Sequence, residues 1–511
     1  MLFNSIDFLI FFPVVVLVYF ILPKKIKYIW LLIASYYFYM GWNAKYALLL
    51  FFSTAVTYLS GVAMDAADHG FPRQNPQRTE GKTPEKNGLG SRRKKIIVAI
   101  SFILNLSILF VFKYLDFATD LLTFIFGKAG IALTVPRFDI LLPVGISFYT
   151  FQALSYTMDV YRGEIYAERN FLRYALYVSF FPQLVAGPIE RSKNLLKQLA
   201  VPRKFDYVRA RDGIYLMLWG YFLKIVMADR IAVVVDRIYD GYEIYPGWFL
   251  VAGTVLFAFQ VYCDFAGYST IAIGAAKILG IDLMENFNAP YTSMSIAELW
   301  RRWHISLTTW FRDYLYFPLG GSRKGRLRKD INIMIVFLVS GLWHGAGMHY
   351  VAWGGINGLY QVIGERLKPV RARIATALHV KTDVLTFKLY KVAATFLLTL
   401  FSDIFFRANN MVAAGAIITS IFTTHNPWIL FDGSLYTLGL GPTEFRFMLL
   451  CIGVLIFADI CKRKGICIRE IIGKQGYVFR AMFFVFAVVF LLTFGIWGPG
   501  YDAKNFVYFQ F

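Results

Sequence analysis

The chain has 511 residues, of which 58% are hydrophobic, 18% aromatic and only 17% charged. A soluble protein of this length would carry more charge. The formal net charge of +21 would suggest nucleic acid in a soluble chain, but here it is better explained by basic loops beside a bilayer. The composition therefore points to an all-α polytopic membrane protein that meets a lipid bilayer and no nucleic acid.

In chain order, apolar runs fall at 8–22, 47–64, 96–112, 249–262, 447–460 and 481–497. Several approach the roughly 20 residues that a spanning helix needs, and together they predict roughly ten or more spans. The first run has no basic stretch before it and no small-residue cleavage site after it, so it reads as a span rather than a cleavable signal. The basic clusters "PKKIKY" (23–28), the end of 73–95, "GSRKGRLRKD" (321–330) and "CKRKG" (461–465) are placed in the cytoplasm by the positive-inside rule, with residue 1 outside. Residues 66–95 read as a flexible cytoplasmic loop within one integral membrane domain covering 1–511. The four cysteines, Cys263, Cys451, Cys461 and Cys467, have no metal-ligand spacing and read as small hydrophobes. No metal site is expected.

Two stretches are irregular for membrane spans, "FDILLPVGISFYTFQALSYTMDVYRG" (138–163) and "FFPQLVAGPIER" (180–191). Broken backbone at membrane depth survives only inside protein or along a cavity. Both are candidates for the wall of an internal chamber, or else are kinked helices and interfacial turns.

The chemistry concentrates around two histidines. Read as one helix, "ELWRRWHISLTTWFRDYLY" (298–316) gathers Trp300, Trp303, Leu307, Trp310, Phe311 and Tyr314 in one sector, with His304 at its edge and Arg301, Thr308 and Arg312 in an adjoining stripe. This suits an interfacial helix with arginines toward lipid phosphate. It equally suits a substrate-facing helix whose arginines, Arg301, Arg302 and Arg312, draw a phosphorylated donor, with Trp303 and Trp310 beside it. His344 lies fourteen residues beyond Asp330 in an uncharged apolar run. At 1.5 Å per residue it sits about 21 Å into a core about 30 Å thick. An ionisable ring there is a functional candidate, against the alternative of a neutral histidine bridging helices. Trp343 and Gly345 flank it, and Gly341, Gly345 and Gly347 suggest space around the ring or close helix packing. Asp264 and Glu298 are available as partners for the histidines. No P-loop, HExxH, CxxC or GxSxG competes.

Taken together, "YCDFAGYSTIAIG" (262–274), "ENFNAPY" (285–291), "ELWRRWHISLTTWFRDYLYFPLGGSRKG" (298–325) and "VSGLWHGAGMHYVAWGGING" (339–358) resemble the membrane-bound O-acyltransferase (MBOAT) family. The likeness is strongest to its bacterial branch of alginate and peptidoglycan O-acetyltransferases. It implies a many-helix bundle around a central pore, with His344 as the essential catalytic residue and His304 in the same passage. It also implies a separate outer-face acyltransferase partner of the SGNH or esterase-like kind. The expected function is transfer of an acyl group, most simply acetyl, from acetyl-CoA or another cytoplasmic thioester to a hydroxyl of a surface or secreted polysaccharide, or of a partner protein that acetylates it. No cofactor is expected to stay bound. The expected location is the bacterial cytoplasmic membrane. A transporter or a non-catalytic scaffold for polysaccharide export is the rival reading.

Overall fold

A computed structural model describes residues 1–69, 92–131 and 142–497. The described residues form helices and connecting loops, with no strand among them. They divide into two compact units, Met1–Ile214 with Ala272–Met284, and Tyr215–Ile271 with Glu285–Phe511.

Within the first unit, the helix Ile6–Ile21 starts where the Ser5 hydroxyl accepts the Phe8 amide at 3.3 Å. It ends just before Pro23, which restricts the preceding residue to extended backbone. Its face carrying Phe8 and Phe12 packs with Phe3, Phe38 and Phe181 in one aromatic cluster. The helix Lys27–Met40 lies against Phe171–Ser179, and Ala47–His69 against Ile146–Tyr161 and Arg92–Leu109. The irregular stretch 180–191 is buried throughout. Its polar backbone is served by side chains: Phe181 donates its amide to the Ser35 hydroxyl at 3.1 Å, and the Glu190 carbonyl accepts from the Tyr177 hydroxyl at 3.4 Å. That is how irregular backbone survives away from water. The expected loop 66–95 is helical at both ends, since Ala47–His69 and Arg92–Leu109 reach into it, and 70–91 lie outside the described residues.

Five described helical stretches are long and apolar enough to cross a membrane: Ala44–Ala67, Arg92–Lys128, Trp248–Ile278, Leu385–Arg407 and Tyr477–Phe494. The apolar helices Ile6–Ile21 and Met411–Thr423 are shorter. The sequence-based count of ten or more is larger than these five, because other apolar helices, such as Pro442–Arg463, carry charges along part of their length.

The second unit is organised around a helical hairpin. Arg326–His344 and Met348–Arg366 touch backbone to backbone: a Cβ at Gly341 would overlap the Tyr350 carbonyl, and one at Gly354 the Phe337 carbonyl. Only glycine permits that approach. The two helices are tied at their far ends by Arg366 to Asp330 at 2.8 Å and Lys329 to Glu365 at 3.2 Å. Leu385–Arg407 packs against Met348–Arg366. The cluster at 461–465 is not simply a basic loop. Lys462 and Arg463 close the helix Pro442–Arg463 and clamp the stretch 285–298, through Lys462 to Glu285 at 2.6 Å and to the Phe287 carbonyl at 2.8 Å, and Arg463 to the Thr292 hydroxyl at 2.9 Å.

Candidate active site

His344 is the last residue of its helix, and Gly345 turns the chain into extended backbone beyond it. Its ring is 4% exposed. Trp343, Trp353 and Phe406 meet it edge-on, with centroids 4.9, 4.9 and 5.4 Å away. The ring also lines a cleft within the second unit, together with Trp300, Trp303, Trp353, Asn357, Asp403 and Phe406. The cleft holds about 470 Å³ of atom-free space, part of it open to solvent. Beyond its mouth it is narrow, with room for water rather than an acyl chain. Asn357 and Thr399 also line it. They place its length along Met348–Arg366 and Leu385–Arg407, running from His344 toward the hairpin end that carries Lys329, Asp330, Glu365 and Arg366.

The glycines beside His344 do not make space. A Cβ at Gly345 would run into the Tyr350 ring, so this glycine admits a packed aromatic, not a substrate. The expectation of an uncrowded ring is corrected accordingly. Of the two irregular stretches, residues 138–141 lie outside the described residues, and 142–163 and 180–191 belong to the first unit, whereas the cleft is lined by residues of the second.

His304 departs further from the sequence reading. The stretch 298–316 is not one helix. Ile296–Arg302 ends, Trp303 is extended, His304 takes left-handed backbone (φ 42°, ψ 54°), and Ile305–Phe311 begins anew. Left-handed backbone in a non-glycine residue costs on the order of 1–3 kcal/mol and persists only where surroundings impose it. The surroundings here are the stretch 286–288. Ile305 donates its amide to the Asn286 carbonyl at 2.9 Å, and Asn288 donates to the Arg302 carbonyl at 2.9 Å. The Asn286 side-chain oxygen accepts from the Ser306 amide at 3.2 Å and the Ser306 hydroxyl at 2.9 Å. His304 Nδ1 lies 3.1 Å from that same oxygen. A backbone amide can only donate, so the atom it meets is Oδ1. His304 must then donate from Nδ1, which leaves Nε2 as its lone-pair nitrogen. The ring is 1% exposed, packs edge-on against Phe265 at 4.6 Å, and lies outside the five spanning stretches. Burial pushes its pKa down to about 3, so the ring is neutral at ordinary pH.

His304 does not line the His344 cleft; Trp343 stands next to both rings. The remaining expected residues divide. Trp303 lines the cleft. Trp310 does not: it is buried against Phe311 and Tyr314. Arg301 is exposed, and Arg312 is exposed and paired with Asp313 at 2.9 Å. Arg302 is held by Glu298 at 3.0 Å and the Asn288 carbonyl at 3.1 Å, so its charge serves the local fold. Glu298 helps to close the helix start: it accepts the Met294 amide at 2.9 Å, while its own amide meets the hydroxyl of the N-cap Ser295 at 3.2 Å. Burial alone would raise its pKa, but the Met294 amide, Arg463 and Arg302 outweigh that and hold it below the usual carboxylate range. Asp264 pairs with Lys224 at 2.7 Å, which also holds Asp229 at 2.7 Å. Each of the two acids has a cation close at hand, Lys224 for Asp264 and Arg302 for Glu298. The acid that shares the cleft with His344 is Asp403. The sequence reading missed it, although an aspartate inside the apolar stretch 393–406 was a visible signal. Among the described residues no group of three or more His, Cys, Asp or Glu could hold a metal ion.

Comparison with known proteins decides what this arrangement belongs to. The family model for membrane-bound O-acyltransferases matches residues 167–402. The chain is 36% identical to the probable alginate O-acetylase AlgI of Pseudomonas aeruginosa over 431 residues, covering 83% of this chain and 75% of the relative. This protein belongs to the MBOAT family. It is 32% identical to the peptidoglycan O-acetyltransferase of Helicobacter pylori over 395 residues, 70% of this chain and 69% of that one. A teichoic acid D-alanyltransferase of Bacillus subtilis is similar at 27% over 241 residues, 43% of this chain and 58% of that one. As an MBOAT member the protein is a multi-pass membrane O-acyltransferase.

Proposed function

We propose that the protein transfers an acetyl group from a cytoplasmic thioester, acetyl-CoA in the simplest case, to a hydroxyl of a surface or secreted polysaccharide or of an outer-face SGNH-like partner that then acetylates the polymer. The observation that carries this is the buried His344 ring at the inner end of the cleft. A neutral imidazole takes the proton of the acceptor hydroxyl as its oxygen attacks the thioester carbonyl. The tetrahedral intermediate collapses, the carbon–sulfur bond breaks, and the imidazolium returns the proton to the departing thiolate. His304 acts through Trp343, which packs against both rings, and so helps to hold His344 in place. Exclusion of bulk water protects the thioester from hydrolysis. The acyl arm enters from the end carrying 321–330, which the excess of Lys and Arg assigns to the cytoplasm of a bacterial inner membrane, with residue 1 outside. The cleft must widen to admit it.

The test is acetyl transfer from radiolabelled acetyl-CoA by the detergent-purified protein with its acceptor or partner present. Label in the acceptor supports the reading. Transfer of intact substrate across sealed vesicles, with none in detergent, would favour a carrier instead. Orientation is tested separately: in a Cys467→Ser background, Lys324→Cys should resist an impermeant thiol reagent in intact cells and react once they are opened.

A further inference from the structure

The cleft wall offers two polar atoms that nothing in the protein uses. Trp300 lines the cleft, and its indole Nε1 is buried with no hydrogen-bond partner among the described residues. Asp403 lines the same cleft, and its side chain makes no hydrogen bond or ion pair among the described residues. The hydroxyls of Thr399 and Ser402 and the Asn357 amide group, also along the wall, are used within the protein. Thr399 donates to the Thr395 carbonyl at 2.9 Å, Ser402 to the Thr399 carbonyl at 2.8 Å, and Asn357 to the Trp353 carbonyl at 2.9 Å. Arg407, one turn beyond Asp403, is turned away to Asp236 at 2.8 Å. An unused acceptor and an unused donor in a largely buried cleft are costly unless a ligand meets them.

We infer that Asp403 and Trp300 bind the amide of the donor's thioester arm, the carboxylate accepting its N–H and the indole donating to its carbonyl. This rests on the thioester reading above. The spacing fits. Phe406 touches the His344 ring, and Asp403 lies three residues back on the same helix, about 4.5 Å along its axis. The displacement is toward the end from which the donor enters. In an arm of the form thioester–CH₂–CH₂–NH–CO, the amide nitrogen is four bonds from the reacting carbonyl carbon, on the order of 5 Å away. An arm anchored at Asp403 therefore presents its thioester at the depth of His344.

The experiment compares two small donors with the full-length protein in detergent and the same acceptor: S-acetyl-N-acetylcysteamine, which carries the amide, and S-butyl thioacetate, which lacks it. The wild type should favour the amide-bearing donor in kcat/KM by about 10- to 100-fold, the scale of two hydrogen bonds made together. Asp403→Ala should bring the ratio close to one. Asp403→Asn and Trp300→Phe, which keep the shape of the wall, should each lower it several-fold, with thermal midpoint and elution profile unchanged. Equal slowing of both donors in these variants, or no preference in the wild type, would overturn the assignment. A wild-type preference for an amine-bearing acyl group, lost in Asp403→Asn, would overturn it too, since the carboxylate would then be reading the acyl group. If no acyl thioester serves as donor while an acyl donor of another class does, the thioester reading falls and this inference falls with it.

Discussion

His304 and His344 share one indole: the Trp343 ring lies 6.0 Å from His304 and 4.9 Å from His344, centroid to centroid. Trp343 is 4% exposed, so it fixes both rings by packing. Trp343→Ala should cost on the order of 3–5 kcal/mol of stability, as for other buried aromatics cut to alanine. Trp343→Phe should keep most of that stability while lowering kcat, because a smaller ring lets the two imidazoles shift. Thermal unfolding and single-turnover rates of the pair check this; a Phe variant with wild-type kcat would show that the indole does not set their geometry.

His344→Ala should lose activity by about 10²- to 10⁴-fold, the range for a general base. It should also lose stability, because Trp353, Trp343 and Phe406 would line the void. His344→Gln separates the two effects by filling most of the space without a basic ring nitrogen. Near-wild-type transfer by the Gln variant would remove His344 from the chemistry.

His304 sits in left-handed backbone, which asparagine tolerates better than alanine. His304→Asn should therefore fold more stably than His304→Ala, by about 1 kcal/mol, with both impaired in transfer. Asn286→Ala should destabilise by about 1–3 kcal/mol, since it leaves the buried Ser306 amide without its acceptor. Equal stability of the two His304 variants, measured by thermal midpoint, would mean the backbone there relaxes freely.

The pH dependence has a definite sign. The His304 pKa is about 3 in the folded protein against 6.5 ordinarily. Below pH 6.5 the unfolded chain takes a proton that the folded ring refuses. The ring's contribution to stability is thus constant above about 6.5 and falls as pH drops toward 3, with a slope of up to about 1.4 kcal/mol per pH unit. His304→Asn should flatten that part of the acid limb. An unchanged acid limb in the variant would show that the ring is protonated in place.

How far these features can be read from residues alone varies with the range of the forces involved. His344 was legible because an ionisable ring in an uncharged run has a depth that follows from helical rise. The helical class was legible from the apolar runs. The break at His304 was not, because 298–316 has good helical periodicity and its interruption is imposed by Asn286, eighteen residues earlier. Pairings such as Asp264 with Lys224 were hidden for the same reason: the partner is distant in sequence. Asp403 was visible as an oddity in its own helix, yet its significance depends on which neighbours face it.

The glycine contacts of the hairpin bear on how the cleft opens. Helices locked at Gly341 and Gly354 carbonyl to backbone have no side-chain layer to compress, so that pair resists both sliding and spreading. The compliance of the cleft then resides in Leu385–Arg407, whose contacts with the hairpin are made through side chains. Phe406 and Asp403 both ride on that helix. The wall that yields to an incoming substrate is thus the one that bears on the His344 ring, so admission of the donor and release of the imidazole from its aromatic cage would be a single mechanical event.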